Sequence, residues 1–211
     1  MKIRLTKTAA LIFLLTILSL MACATAPKTH NDYVDLFRDE FPNPVVRVSA
    51  SPLPQFSVCS VYDKSWEAED PLIPQTWIAT ADGKIFRGFE IEKALLHAGY
   101  EAKSAQDAMM LLELYMMVSD GLTLIRDPDD EYFKPIIPAA ERVKIRKPSC
   151  ERLANAWVVR CHALSSNARQ VLFRNKPVIY TLEAVTLRAD GRSFAHERRP
   201  VWSSASGTEP E

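Results

Sequence analysis

Hydrophobic and polar positions divide the chain into an apolar leader, a helical centre and a β-rich last third. Residues 9–20 run without a charge behind a basic head. Apolar residues then dominate 104–118 almost all round a helix, and they alternate with polar residues along 155–163. Strands before and after a helical centre, without regular strand–helix–strand alternation, predict an α+β domain.

The first half of the domain carries recognisable start and stop signals. Thr29 and Asp32 form an N-terminal capping pattern for a helix that ends before Pro42. Gly83 supplies the left-handed position of a hairpin, and Gly99 ends a second helix. The predicted strands are 45–49, 56–63, 77–80 and 84–87, and the second helix is 88–97.

The strongest helix begins at Ser104 and runs to about Val118. Its apolar residues surround it almost completely, so we expect it in the centre of the protein. Four of its residues are methionines, and they suit either a packed core or an adaptable groove for lipid or a partner: Met109, Met110, Met116 and Met117.

The last third predicts antiparallel β structure. An irregular segment, 127–147, follows a short strand at 122–126, and Asp190-Gly191 marks a hairpin before a highly charged edge strand. The other predicted strands are 155–163, 170–173, 178–188 and 193–199. We therefore expect one domain, 31–202, with a single curved antiparallel sheet, two central helices and a C-terminal β-meander, and a disordered tail over 203–211.

The first 23 residues have the form of an export signal. Lys2, Arg4 and Lys7 precede the apolar stretch, and small residues follow it. The stretch ends at Leu20-Met21-Ala22-Cys23, which resembles the lipobox of bacterial lipoproteins, although Met21 stands where a small or β-branched residue is usual.

The lipobox resemblance implies a fate for the N-terminus. It implies that residues 1–22 are removed, that the sulfur of Cys23 receives diacylglycerol, and that the new amine is acylated with a chain such as palmitate. Two or more acyl chains give stable membrane anchoring. Residues 23–30 would form a short tether. Ala24, where Asp would favour inner-membrane retention, implies the periplasmic face of the outer membrane.

Two other interpretations of the leader remain open. Residues 9–26 are 18 without a charge, just long enough for a spanning helix. Thr16 and Ser19 and the small-residue end argue against that interpretation. Ala24-Thr25-Ala26 also resembles a simple secretion cleavage site, although Pro27 directly after it would hinder cleavage.

Charge and spacing narrow the classes of function. The chain has 26 basic and 26 acidic residues, and loss of the signal's three basic residues leaves 23 against 26, a net charge of −3. That balance does not predict nucleic-acid binding. No His/Cys cluster has zinc-site spacing, so the sequence predicts neither a metal nor a cofactor.

Three cysteines remain beside Cys23, in a compartment that permits disulfides. Cys150 and Cys161 flank the start of the predicted strand 155–163, which would carry Cys161 roughly 20 Å beyond that start and out of disulfide range of Cys150. We therefore expect Cys59 to be one partner and prefer Cys59–Cys150, with Cys161 as the alternative partner. In the preferred pairing, Cys161 is a buried core thiol.

Candidate catalytic residues are few. Cys161 and His162 should point to opposite faces of a strand, so His162 cannot readily activate Cys161. Cys59 with His97 or His196 stays geometrically open. Four carboxylates within Asp127–Glu131 suit either a calcium site or a solvated turn, of which the turn is the commoner.

The expected function is binding at the cell envelope. We expect a membrane-anchored, non-enzymatic interaction or assembly factor whose partner is an envelope protein. Its predicted contact surface is the basic final hairpin, comprising Arg188, Arg192, His196, Arg198 and Arg199. Binding of a small ligand or lipid between the Met-rich helix and the sheet is the alternative. An envelope hydrolase is a weaker alternative, because the sequence contains no hydrolase motif.

Overall fold

The computed structural model describes residues 29–65, 74–119, 121–167, 177–190 and 193–207. Its helices and strands, in chain order, are α1 (His30–Leu36), β1 (Pro44–Ala50), β2 (Phe56–Asp63), β3 (Gln75–Thr80), β4 (Ile85–Arg87), α2 (Ile91–His97), α3 (Ala105–Val118), β5 (Leu122–Leu124), α4 (Ala139–Arg142), β6 (Ser149–Leu153), β7 (Ala156–Ser166), β8 (Tyr180–Asp190) and β9 (Ser193–Ser203). Two 3-10 segments, Gly88–Glu90 and Ser204–Gly207, precede α2 and follow β9. The predicted α+β class is confirmed.

The described strands form two antiparallel sheets, where the sequence predicted one curved sheet. The N-terminal sheet has the order β1-β2-β3-β4. The C-terminal sheet has the order β5-β7-β8-β9, with β6 also paired to β7. Consecutive strands β7, β8 and β9 confirm the predicted meander, and β9 is an edge strand as expected. The first sheet is built from the strands before α2 and α3 and the second from the strands after them, and the two helices pack between the sheets.

Apolar side chains fill three separate layers. The largest core cluster joins one face of the N-terminal sheet, α2, α3 and one face of the C-terminal sheet. A second cluster packs Phe37 and Phe41, just after α1, on the other face of the N-terminal sheet. A third cluster packs residues of 125–145 on the other face of the C-terminal sheet. We call the C-terminal sheet's face toward α3 its inner face, and the opposite one its outer face.

Local signals set the helix starts as predicted at Thr29 and Ser104, whereas α1 ends at Leu36, short of Pro42, and the first three residues of the predicted helix 88–97 form the 3-10 segment. Thr29 and Asp32 form a reciprocal capping box at the start of α1, and Ser104 and Asp107 form another at α3. Gly83 and Gly99 have φ angles of 90° and 60°, in the left-handed region. That region favours glycine because it carries no Cβ.

The Met-rich helix α3 lies in the core, as its apolar pattern predicted. Leu112 and Leu114 are fully buried and Met116 is nearly so. Met109 and Met110 pack partly against the largest cluster, and only Met117 is substantially exposed. The methionines therefore serve mainly as core packing, and Met110 also lines a shallow surface pocket.

Several expectations need correction or fall outside the described residues. Strand β6 was missed because it is mostly exposed and lacks an alternating pattern. Regular structure continues through Gly207, so the disorder expected from Ser203 does not hold for the first five residues of the tail. The predicted strand at 170–173 and the leader with Cys23 lie outside the described residues. Among those residues, no helix has the length and apolar character to cross a bilayer.

Candidate functional site

The basic residues predicted as one contact surface divide between the two faces of the C-terminal sheet. In the β8–β9 register, His196 lies opposite Leu187 and Arg198 opposite Val185, on the inner face. Arg188 and Arg199 lie opposite Ala195 and Ala184, on the outer face. Strand side chains alternate in this way with a period of two. Arg192, the fifth predicted residue, lies outside the described residues.

The two inner-face residues already have partners within the fold. Arg198 Nε and Nη2 donate to the two Glu183 carboxylate oxygens at 2.5 and 2.9 Å. Glu183 is only 8% exposed, so its carboxylate is shielded from water, whereas the Arg198 side chain remains partly exposed. The His196 ring lies 4.8 Å from the Tyr115 ring on α3, between centroids. The ion pair ties the edge strand β9 to β8, and the ring contact ties it to the central helix.

The outer face carries a groove with a strongly basic lining. Its floor is the middle of β7, β8 and β9, and its wall is the segment between α4 and β6. The lining includes the cationic side chains Lys144, Arg146, Lys147, Arg160 and Arg199, with Glu197 as the one carboxylate among the described lining residues. We refer to this feature as the basic groove.

Carboxylates outside the groove neutralise only some of these charges. Lys144 pairs with Glu141 at 2.8 Å, and Arg160 pairs with Glu151. Arg146, Lys147 and Arg199 have no ion-pair partner in the described part of the chain. All three are exposed, so the groove keeps an unbalanced positive charge that can attract acidic groups.

His162 contributes a neutral donor to the basic groove. Its Nδ1 accepts the backbone N–H of Arg146 at 3.3 Å, which assigns the ring proton to Nε2. Burial is the main cause that lowers the pKa of His162. The neighbouring Cys161 points to the inner face, and burial raises the pKa of its thiol to about 12. The predicted separation of Cys161 and His162 is thus confirmed.

No disulfide joins the three described cysteines, so neither Cys59–Cys150 nor Cys59–Cys161 is formed. Cys59 packs in the cluster beneath α1, whereas Cys150 and Cys161 lie on the inner face of the other sheet. The expected wide separation of Cys150 and Cys161 was wrong because β6 and β7 form a hairpin that brings them together. Cys150 lies opposite Val159, which makes it a diagonal neighbour of Cys161.

The other candidate residues lie apart from one another. His97 Nε2 donates to the Asp82 carboxylate at 2.8 Å, and His196 lies against Tyr115, so neither histidine is placed beside Cys59. Within Asp127–Glu131, carboxylates accept backbone N–H groups of the turn or pair with Lys134 and Arg142. No group of three or more potential metal ligands occurs among the described residues.

Most residues of the basic groove were not predicted from the sequence. Lys144, Arg146 and Lys147 precede β6 in a segment that we expected to be irregular, and Arg160 belongs to an alternating strand. The available signal was the dense run of positive charge over 142–147. Only the hairpin of β6 and β7 places that run beside Arg199.

Comparison with known proteins adds no family to this description. No protein-family model, curated protein or solved structure matches the chain. The function is therefore inferred from the geometry of the site itself.

Proposed function

We propose that this chain is a lipid-anchored envelope protein that acts by binding, and that an acidic protein partner docks in the basic groove. The observation that carries the proposal is the set of three exposed cations, Arg146, Lys147 and Arg199, around one concave surface without carboxylate partners in the described chain. Concave surfaces lined by one sign of charge attract opposite charges and speed their association.

The groove can present these charges in a fixed geometry. Arg160 projects from β7 and Arg199 from β9, the two strands that flank β8. The wall segment is held by the hydrogen bond from the Arg146 backbone N–H to His162. Buried Ile145 anchors the same segment to the third apolar cluster. A prearranged set of donors binds carboxylates at a lower entropic cost than mobile side chains do.

The proposed anchor gives this binding a location. Cys23, acylated as the lipobox resemblance implies, would hold the domain on a tether of about five residues before the Thr29 cap of α1, with a reach of about 12 Å. Confinement near the membrane raises the effective concentration of the groove for a partner in the same membrane. The anchor and the groove are separable features, so each needs its own test.

The groove is tested by photo-cross-linking in intact cells. A photoreactive amino acid replaces Thr186 on the groove floor, and covalent adducts are identified by mass spectrometry. We expect a defined adduct with an acidic envelope protein, and its loss when Arg146, Lys147 and Arg199 are changed to Glu together. The matched control changes Arg38, Lys84 and Lys103 to Glu. These residues are equally exposed but do not line the groove.

Two results would refute the docking proposal. One is an adduct that persists in the groove variant; the other is its equal loss in the control variant. The anchor is tested separately by Cys23→Ala, which should release the protein from the membrane fraction. If the Cys23→Ala variant remains in the membrane fraction, the lipid-anchor proposal is refuted, whereas the docking proposal is unaffected.

A further inference from the structure

We propose that a second cleft, at the junction of the two sheets, binds a small amphipathic organic anion. The cleft lies beside the C-terminal end of α3, on the opposite side of the C-terminal sheet from the basic groove. It encloses about 530 Å³, within the usual range for small-molecule sites. This inference does not depend on the proposed acidic partner.

The cleft walls come from three parts of the fold. The N-terminal sheet and the 3-10 segment supply Gln75, Arg87 and Phe89. The end of α3 supplies Tyr115, Val118 and Ser119, and β9 supplies His196 and Arg198. A molecule in this cleft would therefore touch both sheets and the central helix at once.

Close packing behind the cleft fixes its shape. A Cβ added at Gly88 would lie 2.7 Å from the Val118 carbonyl oxygen and 3.1 Å from that of Thr76. Any side chain at position 88 would thus push the 3-10 segment away from α3. The absence of that side chain lets Arg87 and Phe89 flank a close backbone contact.

Donor groups in the cleft favour an anion. Among the residues described, no carboxylate lines the cleft itself. Two carboxylates contact its lining and each is paired: Glu183 with Arg198, and Glu90, which accepts the Arg87 backbone N–H at 3.1 Å, with Lys93. The Arg87 guanidinium lies 5.5 Å from the Trp77 ring centre and forms no salt bridge in the described part of the chain, so its own hydrogen-bonding groups can still donate to a ligand although Glu90 acts on it electrostatically. A carboxylate, sulfonate or phosphate could therefore bind Arg87 with further hydrogen bonds from neighbouring donors.

Tyr115 adds a donor that stays protonated. Burial is the largest cause that raises the pKa of Tyr115, while hydrogen bonds to Ser119 and Arg198 act in the opposite direction. Its hydroxyl therefore stays protonated throughout the physiological pH range, within the group of polar side chains that it forms with Ser119 and Arg198. This favours an acceptor-rich ligand head over a cationic one.

Exposed apolar surface favours a ligand with a hydrophobic body. Phe89 is 79% exposed at the cleft rim, and Ile91 and Val118 continue the apolar lining. Covering a phenylalanine side chain favours binding because it removes apolar surface from water. The combination of a cationic wall and an open aromatic rim fits a molecule with an acidic head and a short apolar or aromatic body.

The test uses two probes that differ only in the presence of a sulfonate group, and hence in charge. The full chain carrying Cys23→Ala is titrated with 8-anilinonaphthalene-1-sulfonate and with uncharged N-phenyl-1-naphthylamine, followed by fluorescence. We expect one saturable site for the sulfonate, and at least tenfold weaker binding of the uncharged probe. Arg87→Gln and Phe89→Ser should each weaken sulfonate binding about tenfold. The controls Arg199→Gln and Leu96→Ser should stay within twofold of the parent chain.

Each alternative outcome overturns the inference. Equal affinity for the two probes would exclude recognition of the anionic head. Retained affinity in Phe89→Ser would exclude the cleft itself, and that variant cannot disturb the core because the side chain is largely exposed. Weakening in Arg199→Gln would assign the probe to the basic groove. Loss of the cleft site would leave the cross-linking result at Thr186 unaffected, so the two proposals can fail independently.

Discussion

The two faces of the C-terminal sheet, both formed mainly by β7, β8 and β9, are covered in different ways. The inner face packs against the regular helices α2 and α3, and its one glutamate, Glu183, is neutralised by Arg198. The outer face is covered only in part, by the segment 125–147, and beside that cover it exposes the basic groove. One face is therefore closed by regular packing, whereas the other retains room and charge for a partner.

The largest expected difference concerns two buried leucines of β8. Leu187 is 1% exposed on the inner face and Leu182 is 0% exposed on the outer face. Leu187→Ala should lower the free energy of unfolding by about 3–5 kcal/mol, because the surrounding helices cannot close the cavity. Leu182→Ala should cost about 2–3 kcal/mol, because the irregular cover can relax into the space. Urea unfolding in the Cys23→Ala background measures both.

Exposed Leu96 provides the control for this pair, since Leu96→Ala should change the unfolding free energy by less than about 0.5 kcal/mol. Equal costs for Leu187→Ala and Leu182→Ala would show that the outer cover is as rigid as the helices. The contrast between the faces would then concern charge alone.

A smaller difference is expected between two glutamates. Glu183→Gln leaves the partly exposed Arg198 guanidinium with a neutral partner, so we expect a loss of about 1–3 kcal/mol in unfolding free energy. Glu197→Gln on the outer face should change it by less than about 0.5 kcal/mol, because that side chain is exposed and has no ion pair in the described structure. Thermal unfolding of both variants at one pH and ionic strength tests this difference in stability. A Glu183→Gln midpoint no lower than that of Glu197→Gln would contradict the structural role of the buried pair.

The outer face should also contribute a pH dependence through His162. Its folded-state pKa lies below the unfolded value near 6.5, chiefly because of burial, so the unfolded chain binds the proton more readily. Stability should therefore fall as the pH drops through about 6.5, and the loss should level off below the folded-state pKa. His162→Gln should flatten the dependence of the unfolding midpoint between pH 7.5 and 5. An unchanged slope would show that His162 is solvated in the folded protein.

The inner face was more predictable than the outer face because it depends on local patterns. Ser104 with Asp107 and the all-round apolar pattern of α3 specified a buried central helix. Alternation along 155–163 specified that Cys161 and His162 diverge. These signals lie within a single element, and the sequence displays them directly.

The outer groove depends instead on which distant segments meet. Strand β6 has five residues, mostly exposed, so its pairing with β7 left no hydrophobic pattern to recognise. Without that hairpin, Arg146 could not be placed beside Arg199, and Cys150 could not be placed near Cys161. The left-handed turn residue of the hairpin is Ala154, with a φ of 52°, where glycine would have been an obvious marker.

The smallest expected effect concerns Cys150 and Cys161, both on the inner face. As diagonal neighbours across β6 and β7, they should have Cα atoms roughly 7–8 Å apart, just beyond disulfide range. Burial is also the leading cause of the raised pKa of both thiols, which disfavours the reactive thiolate. We therefore expect a reductant to leave the thermal midpoint of the Cys23→Ala chain unchanged. A disulfide would contribute about 2–4 kcal/mol, which corresponds to a fall of several degrees on reduction. Such a fall would mean that the inner face is held by a covalent bond as well as by packing, and thiol titration after denaturation would identify the cysteines involved.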